Sequence, residues 1–124
     1  ADMDKCDKVI EDITSKPVKL FRAAYGEYTD EVVRACDETG RVYIQWSADS
    51  LDYKAGSARE IIDRVMKKTN RGDIILMHNG TKYTAEALET IIPALSEKYE
   101  LVSVSELIYE DDYTIDSTGR QHKN

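Results

Sequence analysis

Apolar residues recur along this chain with two alternating rhythms, one helical and one of short unbroken runs. Cys6, Val9, Ile10 and Ile13 share one face of a segment from Asp4 to Thr14, with acids and lysines on the other, which predicts an amphipathic helix. Pro17 ends it, because the residue before a proline is pushed out of the helical region. Val18–Phe21 is a short strand. A second helix runs from Thr29 to Glu38, with Thr29 as N-cap, Asp30 and Glu31 at the positive end of the dipole, and Gly40 closing it. Arg41–Trp46 is a strand rich in β-branched and aromatic residues. Ser57 and Glu60 form a capping box for a helix that buries Ile61, Ile62, Val65 and Met66. Asp73–Met77 is nearly all apolar, as in a parallel strand covered on both faces. Leu88, Ile91, Ile92 and Leu95 then mark a helix from Thr84 to Lys98 that must tolerate or bend at Pro93. Leu101–Val104 reads as a last strand, followed by a short helix near Ser105–Tyr109 and a polar tail from Glu110 onward.

Helices and strands therefore alternate, which calls for a parallel sheet with right-handed crossovers, an α/β fold. The chain opens on a helix that would normally follow a strand, and its strands are too few to close a barrel. The expectation is a partial β/α barrel over residues 1–109 with a peripheral tail over 110–124. Composition narrows the function. The 41% of hydrophobic residues and only two prolines fit a folded chain rather than a disordered one. A net charge of −7, without a Lys/Arg-rich run, argues against tracking nucleic-acid phosphates. No apolar stretch reaches membrane-spanning length, and the first residues lack the pattern of a signal peptide. Cys6 and Cys36 lie in no C-x-x-C pair, and both are expected to be reduced, buried and structural, although a disulfide between them stays open.

In parallel α/β architectures, ligands gather at the C-terminal ends of strands. There the chain places Arg22-Ala23-Ala24-Tyr25-Gly26, then Trp46 through Tyr53 with Asp49 and Asp52, then Leu76-Met77-His78. Each residue has a plain structural reading: Arg22 as a rim ion pair, Asp49 and Asp52 as turn residues, His78 as a satisfied strand-end histidine, Trp46 as core. Their convergence points to acid–base chemistry, because an aspartate that accepts a histidine ring N–H fixes its tautomer.

At these residues the chain resembles the polysaccharide deacetylases, carbohydrate esterase family four. Residues 22–26 resemble the family's R-x-P-x-G motif, residues 46–53 its W-S-x-D-x-x-D-W motif, and Leu76-Met77-His78 its L-x-H motif. The resemblance implies a distorted β/α barrel and removal of acetyl groups from N-acetylated sugars such as peptidoglycan or chitin. It makes His78 the general acid, Asp52 its orienting carboxylate with Asp49 as second choice, and Arg22 the residue that holds a base aspartate. It gives the Tyr25 amide to the oxyanion, Leu76 to the acetyl pocket, and Trp46 and Tyr53 to the groove wall. Work at the cell envelope or outside the cell is implied as well.

Two positions depart from the motifs: Ala24 stands for a proline and Tyr53 for a tryptophan. The family's T-F-D-D-G and H-x-x-x-H motifs, which supply the base and the ligands of a divalent metal such as zinc or cobalt, are not in this sequence. A catalytic zinc needs about three protein ligands, and no such set is legible here. The expectation is the C-terminal part of a metal-dependent deacetylase acting on acetylated polysaccharide, inactive alone, lacking the family's first strands, and self-associating through exposed strand edges. The alternative is a non-catalytic remnant that binds carbohydrate or docks a partner. An unrelated flavodoxin-like domain ranks last, because no Gly-rich phosphate loop is present.

Overall fold

The computed structural model describes residues 2–124 and divides into two compact units, one ending at Gln45 and one of Trp46–Asn124. In the first unit, α1 (Asp2–Thr14) precedes β1 (Leu20–Phe21), α2 (Asp30–Glu38) and β2 (Val42–Tyr43). β1 and β2 run parallel, with Leu20 opposite Val42 and Phe21 opposite Tyr43. Thr29 caps α2 as expected, its hydroxyl accepting the Val32 N–H at 3.3 Å. Gly40, at φ 68°, turns the chain out of the helix in the left-handed region.

The apolar face expected to bury α1 does not do so. Val9 is 58% exposed, Ile13 78%, and Cys6 is an exposed free thiol, so only Cys36 is the buried cysteine of the pair. What docks α1 is charge. Arg41 is buried and donates to Asp7 through Nε at 2.6 Å and to Asp4 through Nη2 at 2.9 Å. A buried guanidinium is tolerated only when paired in this way, and its hydrogen bond holds the Asp4 carboxyl below the usual carboxylate range.

The second unit contains β3 (Ala48–Asp49), α3 (Ala58–Lys68), β4 (Ile75–Leu76), α4 (Thr84–Ser96), α5 (Val104–Leu107), β5 (Tyr113–Ile115) and β6 (Gln121–Lys123). Its core is the seam between two amphipathic helices. Ala58, Ile61 and Val65 of α3 meet Ala87, Ile91 and Leu95 of α4, spaced three and four residues apart so that each set forms one stripe. Burying an isoleucine of this kind contributes roughly 1.5–3 kcal/mol. Pro93 sits on the exposed side of α4, and the helix continues through it.

Three expectations are corrected here. The strand expected over Arg41–Trp46 is only Val42–Tyr43, and Ser47 begins a separate pairing in which β3 runs parallel to β4. Leu101–Val104 is not a strand. Glu106 accepts both the N–H and the hydroxyl of Ser103, at 2.9 and 2.7 Å, and makes Val104 the first residue of α5. The polar tail holds an antiparallel hairpin, β5 against β6, whose turn is organised by Asp116. That carboxylate accepts the Thr118 hydroxyl and N–H, the Arg120 N–H and a His122 ring nitrogen, which together hold it far below the usual carboxylate range.

Candidate active site

β3 and β4 pair with Ala48 opposite Ile75 and Asp49 opposite Leu76, so their carboxyl ends are level. The Ser50 N–H donates to the Leu76 carbonyl at 3.2 Å and extends the match past the strands. Asp52 therefore lies three residues beyond one strand and His78 two residues beyond the other. Just before Asp52, Leu51 adopts a left-handed conformation at φ 52°, and a single 3₁₀ turn, Asp52–Lys54, follows. A leucine at positive φ costs on the order of 1–2 kcal/mol, and such positions cluster where function fixes a loop.

The turn buries the Asp52 side chain completely, while that of His78 stays 41% exposed. His78 Nδ1 lies 2.7 Å from Asp52 Oδ1, and the His78 main-chain N–H donates to Oδ2 at 2.7 Å. The Thr84 hydroxyl also donates to Oδ2, at 2.7 Å. Burial by itself would push the Asp52 carboxyl up, but the His78 amide, the His78 ring and the Thr84 hydroxyl outweigh it and hold the group below the usual carboxylate range. An ionised carboxylate can only accept, so Nδ1 carries the ring hydrogen and Nε2 is left to exchange a proton on the exposed side.

Asp49 does not share this role. Its carboxylate accepts the Leu51 N–H at 2.9 Å, and its main-chain carbonyl accepts Arg64 Nε at 3.0 Å, so it closes the turn that presents Asp52. The exposed Tyr53 ring stands nearly perpendicular to the imidazole, with centroids 5.4 Å apart at 75°. Leu76 is buried, and Trp46 is half-buried just before β3.

In the first unit, Arg22 directly follows β1 and Tyr25 sits in a 3₁₀ turn, Ala24–Gly26. Tyr25 has φ 58° and its side chain is fully exposed. Residues at the end of β2 hold this loop: Gln45 Nε2 donates to the Gly26 carbonyl at 2.9 Å, and the Tyr43 hydroxyl donates to the Glu27 carbonyl. These bonds constrain the loop from outside, where Ala24 lacks the ring that would constrain it from within.

Thr84, Gln45 and Tyr43 are the site residues that sequence reasoning missed. A threonine at a helix start reads as a cap, and only the fold shows its hydroxyl aimed at Asp52 instead. Among the described residues, no group of three or more His, Cys, Asp or Glu stands together to hold a metal ion. The donors among the described residues thus do not fit the divalent ion that the motifs imply.

Residues 1–44 match the family model described as polysaccharide deacetylase. The chain is 35% identical over 107 residues to the peptidoglycan-N-acetylglucosamine deacetylase PgdA of Listeria monocytogenes, covering 86% of this chain and 22% of that protein. It is 33% identical over 100 residues to the peptidoglycan-N-acetylmuramic acid deacetylase PdaC of Bacillus subtilis, covering 80% of this chain and 21% of that protein. Among solved structures it superposes on a CE4 family pseudoenzyme from Bacillus anthracis with a TM-score of 0.79 and 36% identity, over 86% of this chain and 38% of that one. The chain thus spans about a fifth of the length of these two curated relatives. Over the portion it spans, the chain is similar in sequence and in fold to the polysaccharide deacetylases of carbohydrate esterase family four.

Proposed function

We propose that this chain is the part of a peptidoglycan or chitin deacetylase that supplies the general acid for hydrolysis of the acetamide C–N bond. The observation that carries the reading is the pairing of His78 Nδ1 with the buried Asp52 carboxylate at 2.7 Å, which leaves Nε2 to take up a proton and, from the imidazolium, to give it to the departing amine. Asp52 fixes the tautomer and stabilises the imidazolium. Tyr53 and Trp46 offer aromatic faces to a sugar, and Leu76 an apolar wall to the acetyl methyl. Arg22 and the Tyr25 amide keep the roles that their motif implies, holding a base aspartate and donating to the oxyanion. The base and the ligands of a divalent metal, zinc or cobalt, come from outside this sequence, so the chain alone is inactive. Its substrate class assigns its work to the cell envelope or beyond.

The exposed apolar face of α1 and the two-stranded pairs support self-association through apolar surface and open strand edges. Light scattering on a dilution series is expected to show species larger than a monomer at high concentration. A monomer throughout would remove this part of the reading.

The test of function is a chimera in which this chain replaces its matching segment in an active peptidoglycan deacetylase, assayed on N-acetylglucosamine oligomers with added zinc or cobalt. Acetate release is expected, with a loss of at least about a hundredfold in His78→Ala, the usual scale of general acid catalysis. Full activity in His78→Ala would sink the assignment. So would metal-dependent turnover by the unmodified chain alone, which would place the missing ligands within it. A second reading, a non-catalytic binding or docking domain, is favoured by the 36% identical neighbour being a pseudoenzyme. A folded chimera that binds the oligomers without releasing acetate would support it.

A further inference from the structure

We propose that Thr84 is a positioning residue for His78, fixing the Asp52 carboxylate through the oxygen that the imidazole does not use. The Thr84 hydroxyl donates to Oδ2 at 2.7 Å, while Oδ1 faces the His78 ring at 2.7 Å. Both Asp52 and Thr84 are buried, so water does not compete for either oxygen.

The hydrogen count gives the relay a direction. The single hydroxyl hydrogen of Thr84 goes to the carboxylate, so in its contact with Thr81 the Thr81 hydroxyl must be the donor. The order is Thr81 hydroxyl to Thr84 hydroxyl to Asp52 carboxylate, with the His78 Nδ1–H arriving at the other oxygen. Nor is the Thr84 hydroxyl spent on its own helix. Thr84 is the first residue of α4, and the N-cap, Tyr83, makes no side-chain cap bond.

Helix α4 is itself fixed against α3 by Ala87, Ile91 and Leu95. Thr84 thus transfers the rigidity of the unit's core to a carboxylate held on a strained loop. Without it, Asp52 Oδ2 keeps only the His78 main-chain N–H, and the carboxylate can rotate off the ring.

This inference rests on the reading of His78 as an acid oriented by Asp52, and its test is read without turnover, so the two can fail separately. The 124-residue chain would be followed by nitrogen-15 spectra of the imidazole and a carbon-13 titration of the Asp52 carboxyl. In Thr84→Val, which keeps the shape and loses the donor, the Asp52 midpoint should move upward and the Nδ1–H pattern of His78 should give way to a tautomer mixture. Thr84→Ser should restore the wild-type pattern. Wild-type spectra in Thr84→Val, or identical changes in the valine and serine variants, would overturn the proposal and leave Thr84 a packing residue. If Thr84→Val does not fold, Thr84→Cys, a weaker donor, should shift both signals in the same direction, and wild-type values there would overturn it equally.

Discussion

Two aspartates with buried side chains contribute to how the chain responds to acid, beside Asp116. Asp52 receives the His78 amide, the His78 ring and the Thr84 hydroxyl, and Asp73 receives the Asn70 amide, the Ser47 hydroxyl and the Arg120 guanidinium. In both, burial opposes the charge and the donors prevail, so the carboxyls titrate below their ordinary range when folded. The unfolded chain then binds more protons than the folded one in that window. Their contribution is present above the unfolded carboxylate value and is lost as pH falls through the folded one. Thermal melts at successively lower pH should therefore hold steady from neutrality and drop below the ordinary carboxylate range, less steeply in Asp73→Asn. Equal slopes in variant and wild type would remove Asp73 from this account. Asp52→Asn puts an amide donor among donors and should cost about 1–3 kcal/mol in urea unfolding, with the single-tautomer signature of His78 lost. Position and residue type made Asp52 and His78 legible in the sequence, because the spacing past two strand ends limits where they can go. Thr84 was not legible, since its partner lies 32 residues away and nothing local distinguishes its hydroxyl from a cap.

Among the elements, the helices α2, α3 and α4 were readable, while of the strands the places of β1, β2 and β4 were readable but not their bounds, and β3 was not. A stripe such as Ile61–Val65 or Ile91–Leu95 repeats over several turns, whereas strands of two residues carry almost no alternation to detect. Local side-chain bonds overrode propensity where reading failed: Glu106 turned an apolar extended run into the start of α5, and Asp116 built a hairpin from residues that composition alone makes a tail. The α1 stripe is the converse case, with the right periodicity and no cover within its unit. Ile61→Ala and Ile91→Ala should each cost about 2–5 kcal/mol by chemical denaturation, because the α3–α4 seam cannot close over the lost methyls. Val9→Ala and Ile13→Ala should stay within about 0.5 kcal/mol, as exposed positions do. A large loss at Ile13 would mean that another surface covers that face in solution.

For the whole molecule, the family resemblance was legible because three short motifs sit at fixed places after strands, and the parallel strand pairs because helices and strands alternate. The division at Gln45 was not, since it falls inside a run that reads as one strand. The hairpin carries a further consequence. Arg120 Nη2 reaches Asp73 Oδ1 at 2.9 Å, and Asp73 opens the segment that becomes β4 and, five residues on, His78. A protease that nicked the chain after Tyr109 would remove a guanidinium from an acid almost closed to water. The damage would surface at the root of the histidine's strand, far along the sequence from the cut. The closing residues are thus a latch on β4, and a trimmed preparation would lose its acid tolerance before it lost any helix.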